Sequence, residues 1–86
     1  MNIRIEEVGD INSTYPYLEV FPIDGTVPFL EVGISNEKLL YFKFYPIERI
    51  LILSLEEWEF VLKTANEFLP KALSDEEAFK KWDRQN

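Results

Sequence analysis

The chain has 86 residues, 16 of them acidic and 9 basic, for a net charge of -7, and that length holds one domain with a single core. The charge disfavours nucleic-acid phosphates and anionic membrane surfaces and favours a basic protein partner. Cysteine and histidine are both absent, which removes disulfides, thiolate and imidazole metal ligands, thiol nucleophiles and the commonest general base. The expectation is a protein without catalytic, metal or cofactor site.

In chain order, Met1 to Glu7 alternates apolar and polar residues and lacks the apolar stretch of a secretory signal. Ile50-Leu51-Ile52-Leu53, the longest apolar run, is too short to span a bilayer. A cytoplasmic protein is expected. Ile3, Ile5 and Val8 predict a first strand, and the polar segment from Gly9 to Thr14 a loop. Further strands are predicted at Tyr17 to Pro22, Pro28 to Ile34, Leu39 to Tyr45 and Ile50 to Leu53. Short connections make this an antiparallel meander of about five strands over residues 1–53.

Parity fixes the register, because a slip of one residue exchanges the two faces of a sheet. A two-residue turn at Asp24-Gly25 would scatter Leu18, Val20, Leu30 and Val32 over both faces. An odd loop instead pairs Val20 with Leu30 and Leu18 with Val32. An odd loop at Asn36-Glu37-Lys38 pairs Val32 with Phe42, Leu30 with Phe44 and Glu31 with Lys43. One face is then wholly apolar, from Leu18 to Phe44, and requires a cover.

The cover is a helix over 54–69. Ser54 and Glu57 form a capping box at its start, and Glu56 and Glu57 suit the positive end of the helix dipole. Leu55, Trp58, Val61, Leu62, Ala65, Phe68 and Leu69 share one stripe, and Pro70 is expected to stop the run. Ser74 and Glu77 suggest a second box, opening a short C-terminal helix and tail over 70–86. That helix is expected to fold back so that Phe79 or Trp82 covers Phe60, with Asp83 to Asn86 fraying. The fold class is therefore α+β in a single domain, 1–86.

The second sheet face carries Tyr17, Glu19, Phe21, Phe29, Glu31, Tyr41, Lys43 and Tyr45. Rings with a polar tip supply affinity at interfaces, and carboxylates beside them select a basic partner. Seven carboxylates, against Arg4 alone, lie within residues 1–37, so the negative field sits on the sheet. The candidate partner-binding set is Tyr17, Glu19, Glu31, Tyr41 and Tyr45, with Asp10, Asp24 and Glu37 at loop ends. Adjacent pairs such as Glu6-Glu7 diverge on a strand and form no catalytic dyad. The blander account of the same residues is a half-exposed sheet face on which Glu31 simply pairs with Lys43.

Pro16-Tyr17-Leu18-Glu19-Val20, the segment Pro28 to Ile34, and the run Ile52 to Leu62 occur in that order. This layout resembles small bacterial immunity proteins, in particular those paired with contact-dependent growth-inhibition toxins. The resemblance implies a cytoplasmic protein that binds a cognate toxin domain, often a nuclease, and blocks its active or substrate surface. The alternative expectation is a small homodimeric regulator or adaptor whose self-interface is the aromatic face or Phe60.

Overall fold

A computed structural model describes residues 1–85. It is α+β, with a four-stranded antiparallel sheet in the order β1-β2-β3-β4 and one helix. The elements are β1 (Ile3–Val8), β2 (Tyr17–Pro22), β3 (Leu30–Ile34), β4 (Leu40–Phe44) and α1 (Leu55–Gln85).

The registers follow the parity argument. Leu18 stands opposite Val32 and Val20 opposite Leu30, and Val32 stands opposite Phe42 and Leu30 opposite Phe44. The turn after β3 has three residues, closed by Lys38 N–H to Ser35 C=O and Ser35 N–H to Leu39 C=O, at 2.9 and 2.8 Å. Lys38 takes the left-handed conformation that this loop demands, at φ 66°. Between β2 and β3, Gly25 N–H bonds the Pro22 carbonyl at 2.9 Å, so Asp24-Gly25 belongs to a longer loop.

The core lies between the apolar sheet face and α1. Val20, Leu30, Val32 and Val61 are fully enclosed, joined by Ile3, Leu18, Phe29, Ala65, Phe68 and Ala72; Phe29, expected on the second sheet face, lies instead in the core, just before the β3 ladder begins at Leu30. Each large aliphatic side chain buried this way contributes about 1.5–3 kcal/mol. The capping box forms as expected, with Glu57 N–H to Ser54 Oγ and Ser54 N–H to Glu57 Oε1, both at 3.0 Å. Glu57 Oε2 also accepts the Asn2 N–H at 3.1 Å, tying the start of α1 to the start of β1. These donors hold the Glu57 carboxyl below its ordinary range, the Ser54 backbone most of all.

Two predicted elements are overturned. Ile50 to Leu53 is no fifth strand: it lies outside any ladder, with Ile50 92% and Ile52 82% exposed. The Glu57–Asn2 bond explains this, because the chain leaving β4 must return to the side of β1, three strand spacings or about 14 Å away. Doubling back along β4 would forbid that crossing.

The second correction concerns the C-terminus, where α1 continues through Pro70 and no separate short helix forms. Pro70 removes one helical hydrogen bond, to the Asn66 carbonyl. Both residues are exposed, so water can serve that carbonyl. Phe68 and Ala72 are buried on either side and hold the helix to the sheet across the proline. Ser74 consequently sits inside a helix and caps nothing. Because α1 is unbroken, Phe79 and Trp82 do not fold back over Phe60, and all three are exposed. The fraying expected from Asp83 is replaced by helix as far as Gln85, while Asn86 lies outside the described residues.

From Glu77 to Asp83 every residue is exposed, so the end of α1 overhangs the sheet. The Cα radius of gyration is 14.7 Å, against about 12 Å for a compact chain of this length. The exposed area of 6574 Å² likewise exceeds the roughly 5,300 Å² expected from mass. No helix among the described residues is long and apolar enough to cross a membrane.

Candidate partner-binding face

Side chains alternate along each strand, so the residues excluded from the core converge on the side of the sheet away from α1. Antiparallel pairing sets Glu6 opposite Glu19, Glu19 opposite Glu31, and Glu31 opposite Lys43. One row across all four strands therefore reads three carboxylates and a lysine. Glu31 is the organiser. Its buried carboxylate accepts Tyr41 Oη at 2.8 Å and Tyr45 Oη at 2.9 Å, and Lys43 Nζ lies at 3.3 Å. Burial alone would raise its pKa, but the bonds from Tyr41, Tyr45 and Lys43 outweigh this and hold it below the ordinary carboxylate value of 4.5.

The same contacts act in reverse on the tyrosines, whose ionised forms would face a carboxylate. Tyr45 is pushed up to about 12, mainly by its bond to Glu31. Tyr41 is raised by burial and by Glu31. Tyr17 is raised by burial and by the charges of Glu19, Asp10 and Glu31.

Glu19 is different. Among the described residues it has no hydrogen bond or ion pair, although Glu6 and Glu31 stand on either side of it. Glu6 is bound by Arg4 Nε at 3.0 Å, which leaves Glu19 as the half-exposed carboxylate still open to a cation. Like charges directly opposite one another destabilise a sheet.

The eight expected residues are thus only partly assembled. Tyr17, Glu19, Glu31, Tyr41 and Tyr45 share this face, with Glu31 and the two tyrosine hydroxyls engaged in their own network. Asp10 and Glu37 lie at the end of the sheet formed by the 9–16 and 35–39 loops. Asp10 accepts the Asn12 N–H at 2.8 Å and so shapes its own turn. Asp24 lies at the opposite end, in the loop after β2. Between Tyr17, Tyr41, Asn12 and Asn36 lies an open, mainly polar cleft of about 250 Å³, smaller than the roughly 300 Å³ at which small-molecule sites begin.

Two features of the face escaped the sequence reading. Arg4 stacks its guanidinium 4.3 Å from the Phe21 ring centre and donates to the carbonyls of Pro22, Ile23 and Gly25 at 3.0, 3.2 and 2.6 Å. It thereby seals the buried Phe21 and fixes the loop after β2. The Tyr41 ring lies over Gly33, where an added Cβ would come closer than 3.0 Å to its Cζ, Cε2 and Oη. The register of β1 against β2, which sets Arg4 opposite Phe21, would have exposed the first feature; the residue opposite a strand glycine would have exposed the second. No group of three or more acidic side chains among the described residues is arranged to hold a metal ion.

No protein-family model, curated protein or solved structure matches the chain.

Proposed function

We propose that this chain is a non-catalytic inhibitor of the immunity type, binding a basic toxin domain, of nuclease character, through the open side of its sheet. The observation that supports this most directly is Glu19, an unneutralised carboxylate between two others on a face that α1 leaves uncovered. An inhibitor requires a preorganised complementary surface and no reactive group. The Glu31–Tyr41–Tyr45–Lys43 network supplies that rigidity by fixing two rings around the acidic row. Domains that bind phosphates present cations, and an acidic face competes for the same field. A regulator dimer formed through the aromatic face is disfavoured because it would set one carboxylate row against another; the other expected self-interface, Phe60, is exposed and is not touched by that argument.

The test begins with the gene neighbouring this one, which the proposal expects to encode a basic toxin domain, and measures protection in cells that produce that domain. Wild-type chain should restore growth, and Glu19→Lys should lose protection while its melting temperature stays within a few degrees of wild type. Absence of protection by the wild type, or full protection by Glu19→Lys, would overturn the proposal. Glu31→Lys is unsuitable here, because it breaks the network that holds Tyr41 and Tyr45.

A further inference from the structure

β4 is an edge of the sheet, and its backbone polarity is set by the ladder. The bonds Ser35 N–H to Leu39 C=O and Tyr45 N–H to Phe29 C=O identify the hydrogen-bonded pairs between β3 and β4. With a period of two, Tyr41 and Lys43 direct their backbone groups to β3, whereas Leu40, Phe42 and Phe44 direct theirs outward. The side chains of Phe42 and Phe44 are 37% and 61% exposed. Each leans on Trp58, with ring centres 6.3 and 6.4 Å away. This aromatic cluster at the rim of the core is finished on one side only.

Charge decides which molecule can complete it. β1, β2 and β3 all contain carboxylates; Leu40–Phe44 contains none and carries one lysine. Lys43 is turned toward Glu31 at 3.3 Å, so it does not hold a neighbouring strand away. In a chain of net charge -7, β4 is the one strand along which a second copy can approach without opposing acids. The other edge, β1, bears Glu6 and Glu7, the protection commonly found on edges that stay unpaired.

We propose that two copies of this chain pair antiparallel through β4, with Phe42 opposite Phe42 of the second copy on the two-fold axis. Only the outward-facing residues can exchange hydrogen bonds, so allowed registers differ by two residues. Centring on Phe42 engages all five residues of the strand and sets Leu40 opposite Phe44 on the helix side, with Tyr41 opposite Lys43 on the open side. One step in one direction places Lys43 against Lys43; one step in the other shortens the pairing around Tyr41. The centred register joins the two Phe42–Phe44–Trp58 clusters into one and yields an eight-stranded sheet. Both helices then lie on one side and both acidic faces on the other, uncovered, so the pairing is independent of what those faces bind.

The chain has no cysteine, so a single introduced cysteine reports the register. Opposed Cα atoms in a hydrogen-bonded pair lie about 5.5 Å apart, within disulfide range. Phe42→Cys should therefore give a disulfide-linked dimer under mild oxidation, and Lys43→Cys, displaced from its own copy, should give at least tenfold less. Sedimentation of the wild type should give twice the 10.2 kDa chain mass. A wild type that remains a monomer up to about 1 mM, the weak end of specific association, would overturn the proposal. So would assembly beyond a dimer, which indicates β4 against β1, or equal cross-linking of the two variants. If Phe42→Cys fails to fold, oxidation of an equal mixture of Leu40→Cys and Phe44→Cys, which the centred register sets opposite one another, should link the two variants, and failure to link a dimeric mixture would overturn the proposal.

Discussion

Gly33→Ala tests whether the Tyr41 ring is a structural part of the open face. The new methyl would lie closer than 3.0 Å to three atoms of that ring, so either the backbone shifts or the ring leaves its place. Overpacking of this kind costs about 1–3 kcal/mol. If the ring leaves, the 2.8 Å bond to Glu31 goes too, and a bond to a charged group contributes about 1.5–3 kcal/mol. Either route costs about 1–3 kcal/mol, which corresponds to a fall in Tm of roughly 4–24 °C for a domain of this size. Two further backgrounds isolate the cause. In Tyr41→Phe the ring persists, so most of the cost should remain. In Tyr41→Ala the space opens, and Gly33→Ala should become neutral or stabilise by about 0.5–1 kcal/mol, since alanine loses less backbone freedom on folding than glycine. Urea melts of the wild type, the two single variants and the double variant give the coupling. If Gly33→Ala costs as much in the Tyr41→Ala background as it does with Tyr41 in place, the assigned role is refuted.

The lowered pKa of Glu31 gives a contribution to stability that is complete above pH 4.5 and is lost as pH falls through the depressed value; acid melts of Glu31→Gln should lack that component. Tyr45, raised to about 12, contributes below pH 10 and loses that contribution between pH 10 and about 12. Alkaline absorbance titration should show its late ionisation, and Glu31→Gln should move it earlier. Pro70→Ala restores a hydrogen bond to the Asn66 carbonyl and should stabilise by about 1–3 kcal/mol in thermal melts, reduced somewhat by the freer unfolded chain. Lys38→Gly relieves the left-handed backbone at φ 66° and should raise stability by about 0.5–1 kcal/mol, read from the urea midpoint.

The sheet was legible because its constraint is binary. Each alternating residue must face the core or leave it, and only odd loops placed Leu18, Val20, Leu30, Val32, Phe42 and Phe44 on one side, as the register bears out. The capping box at Ser54 and the stripe from Leu55 to Leu69 are local patterns and were legible for the same reason, except at Leu55, which stands 72% exposed in the first turn of α1. Ile50 to Leu53 misled because β-propensity says nothing of where the chain must go next, and the bond from Glu57 to Asn2 spans 55 positions. Pro70 misled because its local penalty is real yet smaller than the burial that Phe68 and Ala72 add on either side. On the candidate face, parity collected Tyr17, Glu19, Glu31, Tyr41 and Tyr45, but residue type alone does not distinguish an acid that is already satisfied from one that is not.

That distinction gives the face its character. Glu31 and Glu19 are opposed residues of the same type on the same surface, yet one is enclosed by two phenols and an ammonium while the other has only acids across from it. Removing Glu31 leaves two phenols and an ammonium without their acceptor, so its loss should register as instability. Neutralising Glu19 relieves like-charge repulsion worth a few tenths of a kcal/mol, so for folding alone the carboxylate is a small liability. A residue that slightly opposes stability while the groups around it are held rigid is the pattern of a surface shaped for binding. On the proposed function, the cation that Glu19 lacks within its own chain is the one a basic partner would bring.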